Sequence, residues 1–524
     1  MKPKILAIVI AAVLLVGGGA FALTRLLAPA EDDALAFVPP DAYFYTNFFI
    51  EPSNGQKQAL DDFLRKFPGI ESTEDAIDWL TDRVDESLED QGLSYEADVE
   101  PWLGDQLAAY GIPGGTPDLP NGAVLVESTD DEAAERFLKK VSDGELDDLD
   151  PKTYQDTEYQ VEEAGPTALA FLEGFMVLGT EDAIKESIDT LAGDETLETA
   201  PAFTKATDPL RDDWVGLYYA NTAAILEEFQ PEGLTPEESE AFGAFVGEDQ
   251  VPQAGVVYVT ADSAVFESSG ALPSGQFASF AEAVGGSTLV SELPGEAWFA
   301  FGLPAFGEIL SNAMDAIAGF PGFDAVQLEA LFYAQTGLRL DQDVLSWMGD
   351  AGLFVQGANL QDIGGGLVVE STDEAKTTAL VQKLAGLLRQ QGVRPRPFSA
   401  GGLEGFSVQV PGAPAPVNVL GGDRLAITYG SDATEALGGG ETLAESETFG
   451  AAQKAIGEDF NIWLFVDADA AQAFGEALAT LGGAVDEDYN EDLKPVFDVF
   501  THVTLGVKQT GDETIVSKLV VGVE

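Results

Sequence analysis

The sequence predicts an α+β fold: two tandem copies of a mixed, mainly antiparallel sheet with covering helices, preceded by one N-terminal transmembrane helix. Three observations carry that prediction. An apolar run follows two lysines at the N-terminus. Sequence blocks from one half of the remaining chain return, in order, in the other half. Consecutive strand-like segments often lack a helix between them, whereas parallel neighbours would need a crossover.

Lys2 and Lys4 precede Ile5 to Leu23. This apolar run of about 19 residues nearly spans a hydrocarbon core at about 1.5 Å rise per residue. Its length favours a transmembrane anchor over a cleaved signal, whose apolar region is usually about 7–15 residues. The lysines put residues 1–4 in the cytoplasm as a short stub and export the remainder. Ala20-Phe21-Ala22 and Ala28-Pro29-Ala30 are candidate cleavage sites, and cleavage would make the protein secreted. Residues 24–36 read as an acidic linker, with Glu31-Asp32-Asp33 marking emergence into water.

The first repeat is expected over 37–272, a linker over 273–293 and the second repeat over 294–524. Gly122-Ala123-Val124-Leu125-Val126-Glu127-Ser128-Thr129-Asp130 returns as Gly366-Leu367-Val368-Val369-Glu370-Ser371-Thr372-Asp373. Trp102-Leu103-Gly104-Asp105 returns as Trp347-Met348-Gly349-Asp350, and the blocks containing Phe203 and Trp214 return near Phe449 and Trp463. An order kept at a nearly constant offset of about 245 residues is the mark of duplication. Each copy opens with an apolar strand, Tyr43 to Ile50 or Ala297 to Leu303, and a helical stretch. Two strands and a Ser-Thr-Asp helix start follow, with acids in the first turn. Leu138 and Val141, and Leu380, Leu384 and Leu387, give that helix its apolar face. Each copy closes with a hairpin: Gly255 to Thr260 with Ala264 to Ser268, and Val503 to Lys508 with Thr514 to Val521.

Composition excludes several chemistries. The 524 residues carry 91 Asp+Glu against 25 Lys+Arg, a formal charge of −66. Phosphate binding needs clustered bases, so nucleic acid is not an expected partner. Zero Cys removes disulfides, thiol catalysis and iron–sulfur clusters, and a single His leaves no two-His metal site. No cofactor or metal site, and no catalytic residue, is expected. The hydrophobic content of 45%, with 32 Phe, is enough to bury large cores despite the charge.

The candidate binding loop is Asn54, Gly55, Gln56 and Lys57, after the first strand. Asn54-Gly55 is a turn signal, and Gln56 opens a helix with Leu60, Phe63 and Leu64 as its apolar stripe. The alternative is a plain strand-to-helix connection. The acidic clusters Asp143 to Asp150 and Asp486 to Asp492 offer oxygen ligands to calcium but lack the spacing of an EF-hand loop. Arg389, Arg394 and Arg396 form the one locally basic stretch, suited to pairing with the protein's own acids. His502 lies at a strand start and is expected to be a packed or surface residue rather than a catalytic one.

The opening of the chain resembles a family. Pro40 and Tyr45 on the first strand are followed by Pro52-Ser53-Asn54-Gly55-Gln56-Lys57 and Phe63-Leu64-Arg65-Lys66-Phe67-Pro68-Gly69. These segments are similar to those of exported, membrane-anchored bacterial proteins grouped only as a domain of unknown function. The resemblance runs from about residue 37 to the C-terminus and implies no activity or catalytic residue. The second copy lacks the Gly-Gln-Lys segment, so the repeated fold does not require it.

The functional expectation is a single-pass, membrane-anchored, extracytoplasmic protein that binds an envelope ligand or protein without catalysis, a lipid being one candidate. One alternative is a carboxylate-based or metal-assisted hydrolase, which would show acids of raised pKa in a concave site. The other is a structural spacer.

Overall fold

A computed structural model describes residues 31–50, 53–70, 92–115, 120–142, 149–162, 165–193, 195–228, 252–272, 289–318, 325–359, 361–482, 494–511 and 514–524, with positions 81, 85 and 88. The expected anchor at 5–23 therefore lies outside the described residues, as do Asp143 to Asp148, Asp486 to Asp492 and most of the 273–293 linker. Among the described residues no helix is long and apolar enough to cross a membrane.

The chain divides into two compact units, one of residues 1–232 and 250–271, the other of 233–249 and 272–524. In the first, ten strands form one antiparallel sheet. They are β1 (Phe44–Phe49), β2 (Leu103–Gly111), β3 (Gly122–Ser128), β4 (Leu149–Tyr154), β5 (Thr157–Glu162), β6 (Thr167–Leu172), β7 (Phe175–Thr180), β8 (Gly216–Ala220), β9 (Gln253–Thr260) and β10 (Ser263–Ala271). Their order across the sheet is 4-5-6-7-3-2-1-8-9-10. Helices α1 (Asn54–Leu64), α2 (Asp131–Val141), α3 (Glu181–Ala192) and α4 (Pro201–Thr207) connect them.

The second unit has β11 (Ala297–Leu303), β12 (Met348–Gln356), β13 (Gly364–Ser371), β14 (Arg396–Ala400), β15 (Leu403–Val408), β16 (Val417–Gly421), β17 (Arg424–Tyr429), β18 (Asn461–Asp467), β19 (Phe500–Thr510) and β20 (Thr514–Val523). Their order is 14-15-16-17-13-12-11-18-19-20, again antiparallel at every pairing. The longest helix here is α5 (Glu374–Gln390). An α+β, antiparallel architecture is thus observed, with no parallel pair among the described residues to make the sheets mixed.

Local chemistry explains the elements. Asp130 and Asp373 cap α2 and α5 by accepting from the N–H of Ala133 and Lys376. Ala134, Phe137, Leu138 and Val141 of α2 pack on Trp102, Leu107, Val126 and Met176. Leu380, Val381 and Ala385 of α5 pack on Trp347, Val369, Phe406 and Leu425. Before β2 and β12 the chain makes a wide π-type turn, Tyr95–Val99 and Leu340–Val344. The Trp102 indole donates to the Asp98 carbonyl at 2.7 Å and the Trp347 indole to the Asp343 carbonyl at 3.0 Å. The β4–β5 turn takes positive φ at Gln155 and Asp156, and the β14–β15 turn at Gly401 and Gly402. Two successive positive φ values match the twist of a two-residue hairpin.

The first unit begins earlier than sequence patterning suggests. Asp33–Phe37 forms a 3₁₀ turn whose Ala34, Leu35 and Phe37 are buried, so residues 31–36 belong to the folded unit rather than to a linker. His502 lies within β19 rather than at its start and is buried.

Candidate functional site

Alternation along β1 turns Tyr45, Asn47 and Phe49 inward. The same face carries Gln106 of β2, Leu217 and Tyr219 of β8, and Val256 of β9, by the pairings Phe49↔Gln106, Asn47↔Leu217, Tyr45↔Tyr219 and Leu217↔Val256. Phe203 of α4 closes over this face, edge-on to Tyr219 at 5.2 Å and to Tyr45 at 6.5 Å between centroids. Trp214 stacks on Phe49 at 4.8 Å.

These elements bound a groove of about 340 Å³. Its walls are Leu35, Phe203, Leu210, Trp214, Leu217 and Val256; its polar lining includes Asp32, Glu198, Asp208, Arg211 and Asp212. Aliphatic and aromatic walls with a few convergent polar groups are the usual make-up of a small-ligand site.

Asp32 is the distinctive group. Its Oδ1 accepts from the Tyr45 hydroxyl at 2.6 Å, while its Oδ2 is shut away from water with no hydrogen-bond partner. Burial pushes its carboxyl up to about 6, against the opposing pull of the Tyr45 hydroxyl, the Asn47 amide and the Leu35 N–H. Tyr45 is itself held well above its ordinary range, first by burial and then by the Asp32 charge. Beside them, Asn47 and Gln106 are buried, and the Asn47 amide donates to Gln106 Oε1 at 3.3 Å. Gln106 donates in turn to the Glu31 carbonyl at 3.1 Å, which ties the entering chain to the sheet. The single base of the lining, Arg211, is engaged: its Nε donates to the Asp213 carbonyl at 2.9 Å, and its guanidinium lies 4.5 Å from the Tyr258 ring centroid.

The candidate loop falls elsewhere. Asn54, Gly55, Gln56 and Lys57 form the first turn of α1, capped by Ser53, which accepts from the Gln56 N–H at 3.2 Å. Gln56 is 1% exposed; its Oε1 accepts from the Val259 N–H at 2.9 Å and its Nε2 donates to Asp213 at 3.4 Å. Ser53 donates to the same carboxylate. The segment therefore braces Asp213, next to groove residues Asp212 and Trp214, without lining the groove. Asp32 was legible only as a polar exit from an apolar segment. Phe203 and Trp214 stood in repeated blocks, which signal shared packing rather than a site.

Two other raised acids, Glu127 and Glu370, sit at register shifts of their sheets. Glu127 accepts from the Asp105 N–H at 2.8 Å where the β2–β3 register shifts, and burial raises its pKa. Glu370 is raised by burial and by Asp350 at the corresponding shift in β12–β13. His502 is held neutral by burial, with Asp467 acting in opposition. Among the described residues no group of three His, Asp or Glu could hold a metal ion.

Known proteins add a family and little else. A search of curated proteins finds no match. Among solved structures, crystal form IV of TP0453 aligns at 12% identity over 45% of this chain and 80% of that one, with a TM-score of 0.23. Crystal form I aligns at 11% identity over 46% and 79%, with a TM-score of 0.24. Likeness of that degree carries no argument. A family described as "Protein of unknown function (DUF3352)" matches residues 5–519, nearly the whole sequence with its apolar N-terminal run, and the chain belongs to that family.

Proposed function

We propose that this is a membrane-anchored, extracytoplasmic, non-enzymatic binding protein whose first unit holds a ligand with an apolar body in the groove beneath Phe203. The observation that carries the reading is the groove itself: six apolar side chains around a largely buried carboxyl with one unmet acceptor. The position along the chain supports a membrane-derived ligand. Asp32 follows the expected anchor, ending at Leu23, by about nine residues, a reach of at most about 30 Å. An anchored chain would keep the groove close to the lipid surface.

We further propose that the two units arose by duplication. The support is the shared strand order, the paired Trp indole bonds, and the matching helix caps at Asp130 and Asp373.

Native mass spectrometry of residues 31–524, purified after export without detergent, tests the binding reading. A reproducible added mass, extracted by organic solvent and lost in Leu217→Arg, is the expected result. A clean mass in both proteins would overturn it. The raised carboxyl of Asp32 favours one competitor, a carboxylate hydrolase with Asp32 as the acid. Turnover of a bound ester that ceases in Asp32→Asn would establish that reading instead.

A further inference from the structure

We propose that the groove of the first unit selects a single-chain amphiphile bearing a protonated amine, its ammonium seated on Asp32 and its chain lying against Phe203, Leu210, Leu217 and Val256. This deepens the ligand-binding reading and rests on it.

The unmet group sets the head chemistry. Oδ1 of Asp32, a groove-lining residue, already has the Tyr45 hydroxyl, and Oδ2 has no hydrogen-bond partner among the described residues. A carboxylate lining the groove calls for a ligand that donates, and it is best met by a donor that also carries positive charge. An alcohol supplies a donor without charge. A carboxylate or phosphate meets Asp32, Glu198, Asp208 and Asp212 around the same groove. Arg211 is the one base there and is turned to Asp213 and Tyr258. The net charge of −66 adds a long-range preference for cations.

The walls set the rest. Phe203, Leu210, Leu217 and Val256 offer no hydrogen bond, so the part of the ligand lying on them is hydrocarbon. A volume of about 340 Å³ is near the lower bound of small-molecule sites, which suits one short chain rather than two.

The groups facing Asp32 make binding pH-dependent. Tyr45 and Asn47 lie beneath it, the Asp33 charge beside it, and Glu198, Asp208, Asp212 and Arg211 around the groove. An ammonium on Asp32 competes with the proton that a carboxyl titrating at about 6 takes up. Binding should therefore weaken about tenfold from pH 7.5 to pH 5, while an alkylammonium, like lysine, stays charged throughout.

The test is calorimetric titration of the full chain in phosphatidylcholine nanodiscs, with empty nanodiscs as reference. The probes are octylammonium, octanol and octanoate, each at pH 7.5 and pH 5. Octylammonium should bind at least about tenfold more tightly than octanol at pH 7.5, octanoate should not bind, and only octylammonium should weaken at pH 5. Asp32→Asn should remove the preference and the pH dependence while leaving octanol binding in place. The wild-type pH profile stands as a second measurement if that variant fails to fold. Equal binding of all three probes would overturn the ammonium inference and leave the groove as an apolar site. No binding of any would overturn both readings. A cation preference that survives in Asp32→Asn would overturn the assignment to Asp32. Lysophosphatidylethanolamine, added as a fourth probe, binds if the amine comes from a lipid headgroup and fails to bind if the site takes only a free amine.

Discussion

Replacing Asp32 by Asn should stabilise the protein above neutral pH and do nothing in acid. The carboxyl titrates at about 6 in the folded chain against an ordinary value of 3.8, with burial as the largest cause. Between those values the folded state binds more protons than the unfolded one, so stability falls as pH rises through that window. The penalty is absent below about pH 4 and fully present above about pH 6. A shift of this size corresponds to at most about 3 kcal/mol, at about 1.4 kcal/mol per unit. Asp32 is half-buried beside an open groove, so screening brings the expected figure to about 1–3 kcal/mol. Asn keeps an oxygen to accept from Tyr45 and cannot ionise. Urea-unfolding midpoints of the wild type and Asp32→Asn, compared at each pH from 4 to 8, isolate this group from the other acids. The variant should lead by about 1–3 kcal/mol at pH 8 and by nothing near pH 4. A wild-type advantage at pH 8, or a difference that ignores pH, would refute the argument.

Three further outcomes follow from the same structure. Trp102→Phe and Trp347→Phe each remove one buried indole bond, so each should lower the urea midpoint by the equivalent of about 1–3 kcal/mol. Gln56→Ala leaves the Val259 N–H without its acceptor and should cost about 1–3 kcal/mol in the same measurement, despite the helix propensity of Ala. Raising ionic strength from about 0.01 to 0.15 M shortens the Debye length from roughly 30 to 8 Å. With a charge of −66, the melting temperature should rise across that range, and a fall on calorimetry would count against self-repulsion as a destabilising term.

Patterning along the chain exposed the fold more readily than the site. The apolar segments that became β1, β3, β11 and β13 were visible because their neighbours on one face are buried core. The starts of α2 and α5 were visible because Asp caps act locally, within three residues. Strands β2 and β12 begin about four residues earlier than their apolar runs suggest. The added residues, such as Gly104-Asp105 and Gly349-Asp350, are held by register shifts and by Glu127 and Glu370 on the adjacent strands. The groove was not legible for a related reason. Asp32, Tyr45, Phe203 and Val256 are far apart in sequence and meet only through sheet pairing, while Asn54-Gly55 gave a local turn signal that capping by Ser53 absorbed into a helix.

The sheet beneath the groove is polar where it meets Asp32. In the first unit Asn47 sits opposite Leu217 and Gln106 opposite Phe49. In the second unit Ala300 sits opposite Phe465 and Gly302 opposite Gly352. Ala300 and Phe465 are fully buried there, and Leu289 and Leu293 fill the space over Gly352. The second unit packs hydrocarbon at these positions, while Gln356 Oε1, Asn418 Oδ1 and His502 Nε2 are buried in it with no hydrogen-bond partner among the described residues. Hydrocarbon is the more stable solution, because buried polar groups stabilise only when every lone pair and proton is met. The first unit holds two such acceptors, Asp32 Oδ2 and Asn47 Oδ1, and a carboxyl that is costly to ionise. Converting Asn47 to Ala removes the buried amide that donates to Gln106 Oε1 at 3.3 Å and should lower the urea midpoint by the equivalent of about 1–3 kcal/mol.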